Sequence, residues 1–162
     1  MRRITVFPYQ MGLIFRKDQF IDALSPGKHW IRWSDQLITY DTSKEFVPLC
    51  ELNILLKNST LSEKLRIIEV ADHQMALVFQ EGNFLKVLEP GRHAFWKGIV
   101  DYRFELLDRN TLEVPSDLDK RLLAEQALQS FITKVSVPSY GEGLLIVDGE
   151  FTKRLDPGVY HF

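Results

Sequence analysis

The sequence predicts an α+β protein: a tandem repeat of β-hairpin/strand plus helix units, with mainly antiparallel sheet. Three observations lead there. The segments "LSPGKHWIRW", "LEPGRHAFW" and "LDPGVYHF" recur along the 162-residue chain. Short apolar runs divided by tight turn signals precede each of them. A leucine-rich block at helical spacing follows the first two.

The repeat is quantitative. Residues 7–33 align on 71–97 at an offset of 64, with nine of 27 pairs identical. Average residue usage gives about one or two by chance. A third copy, offset by 67 from the second, keeps Leu144, Phe151, Leu155, Pro157 and Gly158. Residues 47–70 align without gaps on 114–137. The predicted units are a first βββα-like repeat at 1–69, a second at 70–136, and the start of a third at 137–162.

Each element has a local reason. Leu13-Ile14-Phe15, Leu77-Val78-Phe79 and Leu144-Leu145-Ile146 are short apolar runs, expected as strands buried on both faces. Lys17-Asp18, Glu81-Gly82 and Asp148-Gly149 follow as two-residue hairpin turns. Phe20, Phe84 and Phe151 begin the return strands. Pro26-Gly27, Pro90-Gly91 and Pro157-Gly158 suit type II turns, with φ preset by Pro and positive φ taken by Gly. A third strand follows each corner, and a fourth is expected around "IVDYRFELLD". In the second unit Ser116 and Asp119 resemble a capping box, and Leu118, Leu122, Leu123 or Ala124, Leu128 and Phe131 recur at helical spacing. Asn58-Ser59-Thr60 splits the first unit's helix into two pieces. "KLRIIEV" and "FITKVSV" alternate as strands leading into the next hairpin. The third unit has no helix block after its corner, so the chain is expected to be part of a longer protein whose next segment completes it.

Composition narrows the function classes. Apolar residues make up 45%, charged residues 26%, and the net charge is −2. That balance carries no basic footprint for nucleic acid. Cys50 is the single cysteine, so no internal disulfide forms. No run approaches the ~18 apolar residues of a membrane span, and the segment is expected to be soluble and cytoplasmic.

No catalytic, cofactor-binding or metal-ligating residue is predicted. Pro26, Gly27, His29, Pro90, Gly91, His93, Pro157, Gly158 and Tyr160 are read as structural corners of the repeat. His29 and His93 hold equivalent positions, and Tyr160 holds the third. A position that accepts Tyr points to hydrogen bonding rather than ligation. The competing readings are a metal site from Asp72, His73 and His93, and a hydrolase triad from Asp72, His93 and Ser139. Zinc calls for several Cys or His at ligand spacing, and no nucleophile-elbow pattern is present. Cys50 lies at an expected helix start, where a thiol pKa falls, but a lone Cys there also packs as a small apolar group. Glycines 82, 91, 149 and 158 lie in hairpins, not between a strand and a helix, so they do not make a phosphate loop. Trp30, Trp33 and Trp96 are read as core or inter-unit packing.

"VPSYGEGLLIVDGEFTKRLDPGVYHF" resembles the opening of an SPFH (Band 7) domain, the module of stomatins, slipins, prohibitins and flotillins. The pattern is held by Glu142-Gly143, the apolar strand to Val147, the turn Asp148-Gly149, the return from Phe151 to Leu155, Pro157-Gly158 and Tyr160 to Phe162. Bacterial slipins are the closest in kind, some with extra hairpin copies ahead of the SPFH domain. The resemblance implies no enzyme activity and no cofactor. It implies a non-enzymatic assembly and interaction module of a slipin-like membrane-associated scaffold, with protein partners and self-association. Membrane contact would belong to the full-length protein, not to this segment. The residues alone leave two alternatives, a soluble ligand-binding module with a cleft between repeats and a hydrolase.

Overall fold

The computed structural model describes residues 1–115 and 117–162. The cap expected at Ser116 lies outside the described residues. The first unit contains β1 (Arg2–Val6), β2 (Gln10–Arg16), β3 (Gln19–Leu24), β4 (Gly27–Ile31), β5 (Gln36–Asp41), α1 (Leu52–Leu56) and α2 (Ser59–Ser62). The second contains β6 (Leu65–Val70), β7 (Gln74–Gln80), β8 (Asn83–Leu88), β9 (Gly91–Trp96) and β10 (Tyr102–Asp108). It closes with a single 3-10 turn at Leu122–Ala124 and α3 (Gln126–Gln129). The third contains β11 (Lys134–Val137), β12 (Gly143–Val147), β13 (Glu150–Leu155) and β14 (Gly158–His161).

The expected α+β class is corrected by this content. About half the residues are in strands and a tenth in helix, so the fold is an all-β-like set of small antiparallel sheets. The second unit shows why the helical spacing misled. Leu118, Leu122 and Leu128 are all buried in one cluster, as a helix face would be. Glu125 between them is extended, at φ −67° and ψ 129°, and breaks the segment into two short turns. Isolated helices need about 12–15 residues to hold themselves together. Here the sheet beneath supplies the holding energy, so leucines at the right places suffice without a continuous helix. The first unit's helix is in two pieces, α1 and α2, with Asn58 Oδ1 capping the second through Leu61 N–H.

Each unit begins with a ribbon whose strands are distant in sequence. β1 pairs with β4, β6 with β9, and β11 with β14, all antiparallel. Val6, Val70 and Val137 face Gly27, Gly91 and Gly158 in the same register. The intervening hairpin forms the second layer. β2 pairs with β3 and β5, and β7 with β8 and β10. In the third unit β12 pairs with β13 alone among the described residues. All three hairpins carry a bulge at the same place: Ile14/Phe15, Val78/Phe79 and Leu145/Ile146. Their turns have positive φ at both central residues, as type I′ turns require.

The central strands β2 and β7 are apolar on both faces and bury both. Ala76 and Val78 of β7 face the unit's own ribbon, against Val70 and Phe95. Leu77 and Phe79 face the opposite way, against Leu118, Leu122 and Leu128. In the first unit, Met11, Leu13 and Phe15 meet Phe46, Leu55 and Leu61. That same cluster takes in Leu65 and Trp96 of the second unit's ribbon, with Ile67 and Ala94 packed beside them. The second ribbon thus joins its own sheet to the preceding unit. At Gly12 a Cβ would come within 3.1 Å of Val6 Cγ2, and at Gly143 within 3.1 Å of Val137 Cγ2. Ribbon and sheet approach so closely that this position takes only the smallest residues; Ala76 fills it in the second unit.

Leu77 and Leu144 occupy the same repeat position but only Leu77 is buried. Leu77→Ala is expected to lose ~2–5 kcal/mol in a denaturant titration. Leu144→Ala is expected to stay within about 0.5 kcal/mol of the parent in the same titration.

Candidate functional site

The corners come first because they recur. Gly27, Gly91 and Gly158 have φ of 143°, 137° and 159°. A type II turn needs about +80° at that glycine. The expected type II turn is therefore corrected: each corner is a bend whose glycine is already the first residue of a strand, in a region reserved for glycine. Two residues on, a ring folds back over the corner. His29 Nε2 donates to the Ser25 carbonyl at 2.7 Å, and His93 Nε2 to the Glu89 carbonyl at 2.9 Å. Tyr160 Oη donates to the Asp156 carbonyl at 2.8 Å. Three copies and two side-chain types make one bond, which ties off a carbonyl left over where the hairpin ends.

One buried ion pair supports the first unit. Asp35 is buried, and Arg16 grips it from both prongs, Nε at 2.7 Å and Nη2 at 3.2 Å. The Arg32 backbone N–H also donates to it, while Arg2 donates to the Asp35 carbonyl. Arg66, the repeat equivalent of Arg2, donates to the Tyr102 carbonyl in the same way. The Arg16 hydrogen bonds hold the Asp35 carboxyl below its usual value of 3.8, against the opposing effect of burial. Sequence reading did not single out this pair, since Asp35 falls in the stretch where the two units differ in length.

The competing catalytic constellations are not assembled. Asp72 and Ser139 are one position of successive units, each on the exposed turn between ribbon and hairpin. His93 is spent on its own corner, and His73 lies on the exposed turn beside Asp72. Among the described residues no three His, Cys, Asp or Glu side chains converge as a metal site. Cys50 packs half-buried against the first core, and burial followed by the Glu51 charge pushes its thiol up, away from an activated thiolate. Trp96 is buried between the first two units, as expected of inter-unit packing. Trp30 and Trp33 are instead exposed, a correction with a positional cause. Trp30 takes the place of Ala94, on the outward face of the ribbon, and Trp33 lies beyond the strand end.

A cleft of about 290 Å³ lies between the second unit and the start of the third, lined by Met75, Leu107, Arg109, Phe131 and Phe162 among others. It sits at the small end of ligand pockets, which run about 300–1,000 Å³.

The third hairpin exposes three large apolar side chains on one face. Leu144, Ile146 and Phe151 are 66%, 59% and 64% exposed. Their counterparts Leu13, Phe15, Leu77 and Phe79 are 0%, 6%, 0% and 4% exposed. The opposite face of this hairpin is partly covered: Leu155 is buried, as is Val137 of the ribbon, while Leu145 and Val147 are half-buried. Phe15–Phe20 and Phe79–Phe84 form edge-to-face pairs with centroids 5.8 and 6.0 Å apart. Ile146 and Phe151 pair in that same register position, facing outward. The surface is built like a core and left open. Nothing in the local sequence marked it as exposed, because its residues match buried ones. Among the described residues, no helix is long and apolar enough to cross a membrane.

His93→Phe is expected to cost ~0.5–1.5 kcal/mol by removing the bond to Glu89, read from chemical denaturation. His93→Tyr is expected to restore most of it, as Tyr160 does in its own copy. A second expectation concerns acid. Because the folded Asp35 pKa is depressed, its stabilisation is complete above the ordinary carboxylate value and is lost as pH falls through the folded value. Stability measured from about pH 5 downward should therefore drop less steeply in Asp35→Asn than in the parent.

No family model, no curated protein and no solved structure matches this chain, so the slipin likeness rests on the residues of its three hairpins.

Proposed function

We propose that this chain is a non-enzymatic assembly module, of the kind a slipin-like membrane-associated scaffold would carry. The observation that carries the reading is the third hairpin's open face at Leu144, Ile146 and Phe151. Exposed apolar side chains grouped on one sheet face are the kind of surface that a protein contact buries. The repeat supports it too, because units of this type bury their faces against neighbours rather than alone. The likeness of residues 138–162 to an SPFH opening supplies the scaffold context, and with it protein partners and self-association. Membrane contact in this reading comes from other parts of the scaffold.

Sedimentation velocity across concentration tests the reading. The parent chain is expected to associate reversibly, and a Leu144→Ser, Ile146→Ser, Phe151→Ser variant to stay monomeric with an unchanged thermal melt. Association that persists undiminished in the triple variant would place the contacts elsewhere and remove the support.

A further inference from the structure

The outward faces of the first two ribbons differ in chemistry at matched positions. In β6–β9 that face carries Ile67 opposite Ala94 and Glu69 opposite Arg92, with Trp96 at its end. Arg92 Nε reaches Glu69 at 3.0 Å, so this cation has its counter-charge on the ribbon itself. In β1–β4 the same places hold Arg3 opposite Trp30 and Thr5 opposite Lys28, with Arg32 in place of Trp96. Thr5 removes the carboxylate that Glu69 supplies, and Arg3 and Arg32 replace apolar residues. All five of these first-ribbon residues are exposed, Trp30 at 65%, and Trp33 just beyond the strand is 75% exposed. Among the described residues Arg3, Lys28 and Arg32 enter no ion pair. The Arg32 charge acts on Asp35, but that carboxylate is buried and held by both prongs of Arg16. Residues 1–33 hold six Lys or Arg against two Asp in a chain of net charge −2, so the rest of the chain is acidic overall.

We infer that the outward face of the β1–β4 ribbon docks an acidic polypeptide segment. Carboxylates of that segment bond the guanidinium groups of Arg3 and Arg32 and the Lys28 ammonium, and apolar side chains between them bury Trp30 and Trp33. Three cations without counter-charges can be covered only by a partner that brings anions, because burying an unpaired charge costs too much. A neighbour that packed here as the first unit packs on β6–β9 would meet that penalty. Size selects a polypeptide among anions. The two ribbon strands have five residues each, about 17 Å of length. A short acidic segment fits that footprint. A nucleic-acid duplex or a bilayer extends well past it and is repelled by the net-acidic remainder of the chain. Three cations also fall short of the roughly four to eight in a lipid-binding basic cluster. The ribbon face is separate from the third hairpin, and docking there does not depend on the assembly reading above.

The test uses the full 162-residue chain and a soluble random copolymer of glutamate and tyrosine as the acidic polypeptide. Trp30 and Trp33 are exposed and Trp96 is buried, so selectively excited tryptophan emission reports on this ribbon. The copolymer is expected to shift that emission to the blue and to shield it from acrylamide, less so as salt rises. Arg3→Gln combined with Arg32→Gln is expected to weaken binding about tenfold or more. Thr5→Glu gives Lys28 the partner that Glu69 gives Arg92, and is expected to weaken binding as well. These positions are exposed, and an unchanged thermal melt shows that each variant folds. Absence of copolymer binding, or binding undiminished in these variants, overturns the inference. Vesicles of phosphatidylserine with phosphatidylcholine, and duplex DNA, are compared at matched anionic charge; tighter binding of either overturns the polypeptide as occupant. The Leu144→Ser, Ile146→Ser, Phe151→Ser variant is expected to bind the copolymer as the parent does, so docking here and association through the third hairpin fail separately. Loss of copolymer binding in that variant places the contact elsewhere and overturns the inference.

Discussion

A strand that is apolar on both faces must be covered on both, and the rest of this molecule follows from that requirement. Leu13 and Ile14, or Leu77 and Val78, point to opposite sides of one strand and are all buried. Leaving either side in water would forfeit ~1.5–3 kcal/mol per large side chain. One cover is the ribbon, which lies so near that a Cβ barely fits at Gly12 or Gly143. The other is the strand and helical turns that follow the corner. Helical content is low because the second cover needs only a few well-placed leucines, not a self-supporting helix.

The second ribbon makes one packed body of the first two units. The inner face of β6–β9 packs on its own sheet through Val70 and Phe95, while Leu65 and Trp96 enter the first unit's core. The aromatic contacts at that seam are close: Phe46 and Trp96 meet at 4.9 Å, and Tyr40 and Trp96 at 5.9 Å. The first unit's core is thus completed by the ribbon of the second, as in quasi-one-dimensional repeat arrays. The corner bonds of His29, His93 and Tyr160 serve that design, since they hold the chain where it leaves one layer for the other. Histidines repeated in register thus make the same kind of hydrogen bond as Tyr160, each engaging Nε2 or Oη at its corner.

Local chemistry was legible in the sequence wherever a short stretch decides its own conformation. Lys17-Asp18, Glu81-Gly82 and Asp148-Gly149 read as two-residue turns because few residues tolerate positive φ, and all six positions adopt it. β10 was legible from "IVDYRFELLD", and the break at Asn58 from its capping side chain. The helix expected through Leu118, Leu122 and Leu128 was not, because leucines at that spacing look the same whether a helix or a sheet surface sets their positions. The glycine of each corner was legible as a glycine requirement but not in its φ, which depends on the partner strand it enters.

By itself, the sequence determined the unit, its threefold recurrence, its hairpins and its proline-glycine corners. All of these arise from neighbours within a few residues, where sterics leave the backbone few choices. Tertiary structure decided which distant strands make the ribbons, that Arg16 reaches Asp35, and that Trp30 faces outward while Trp96 is buried. It also decided that Leu144 is bare where Leu77 is covered. Identical side chains carry identical local signals, and only the presence or absence of a strand and helical turns from elsewhere in the chain separates a core from a surface.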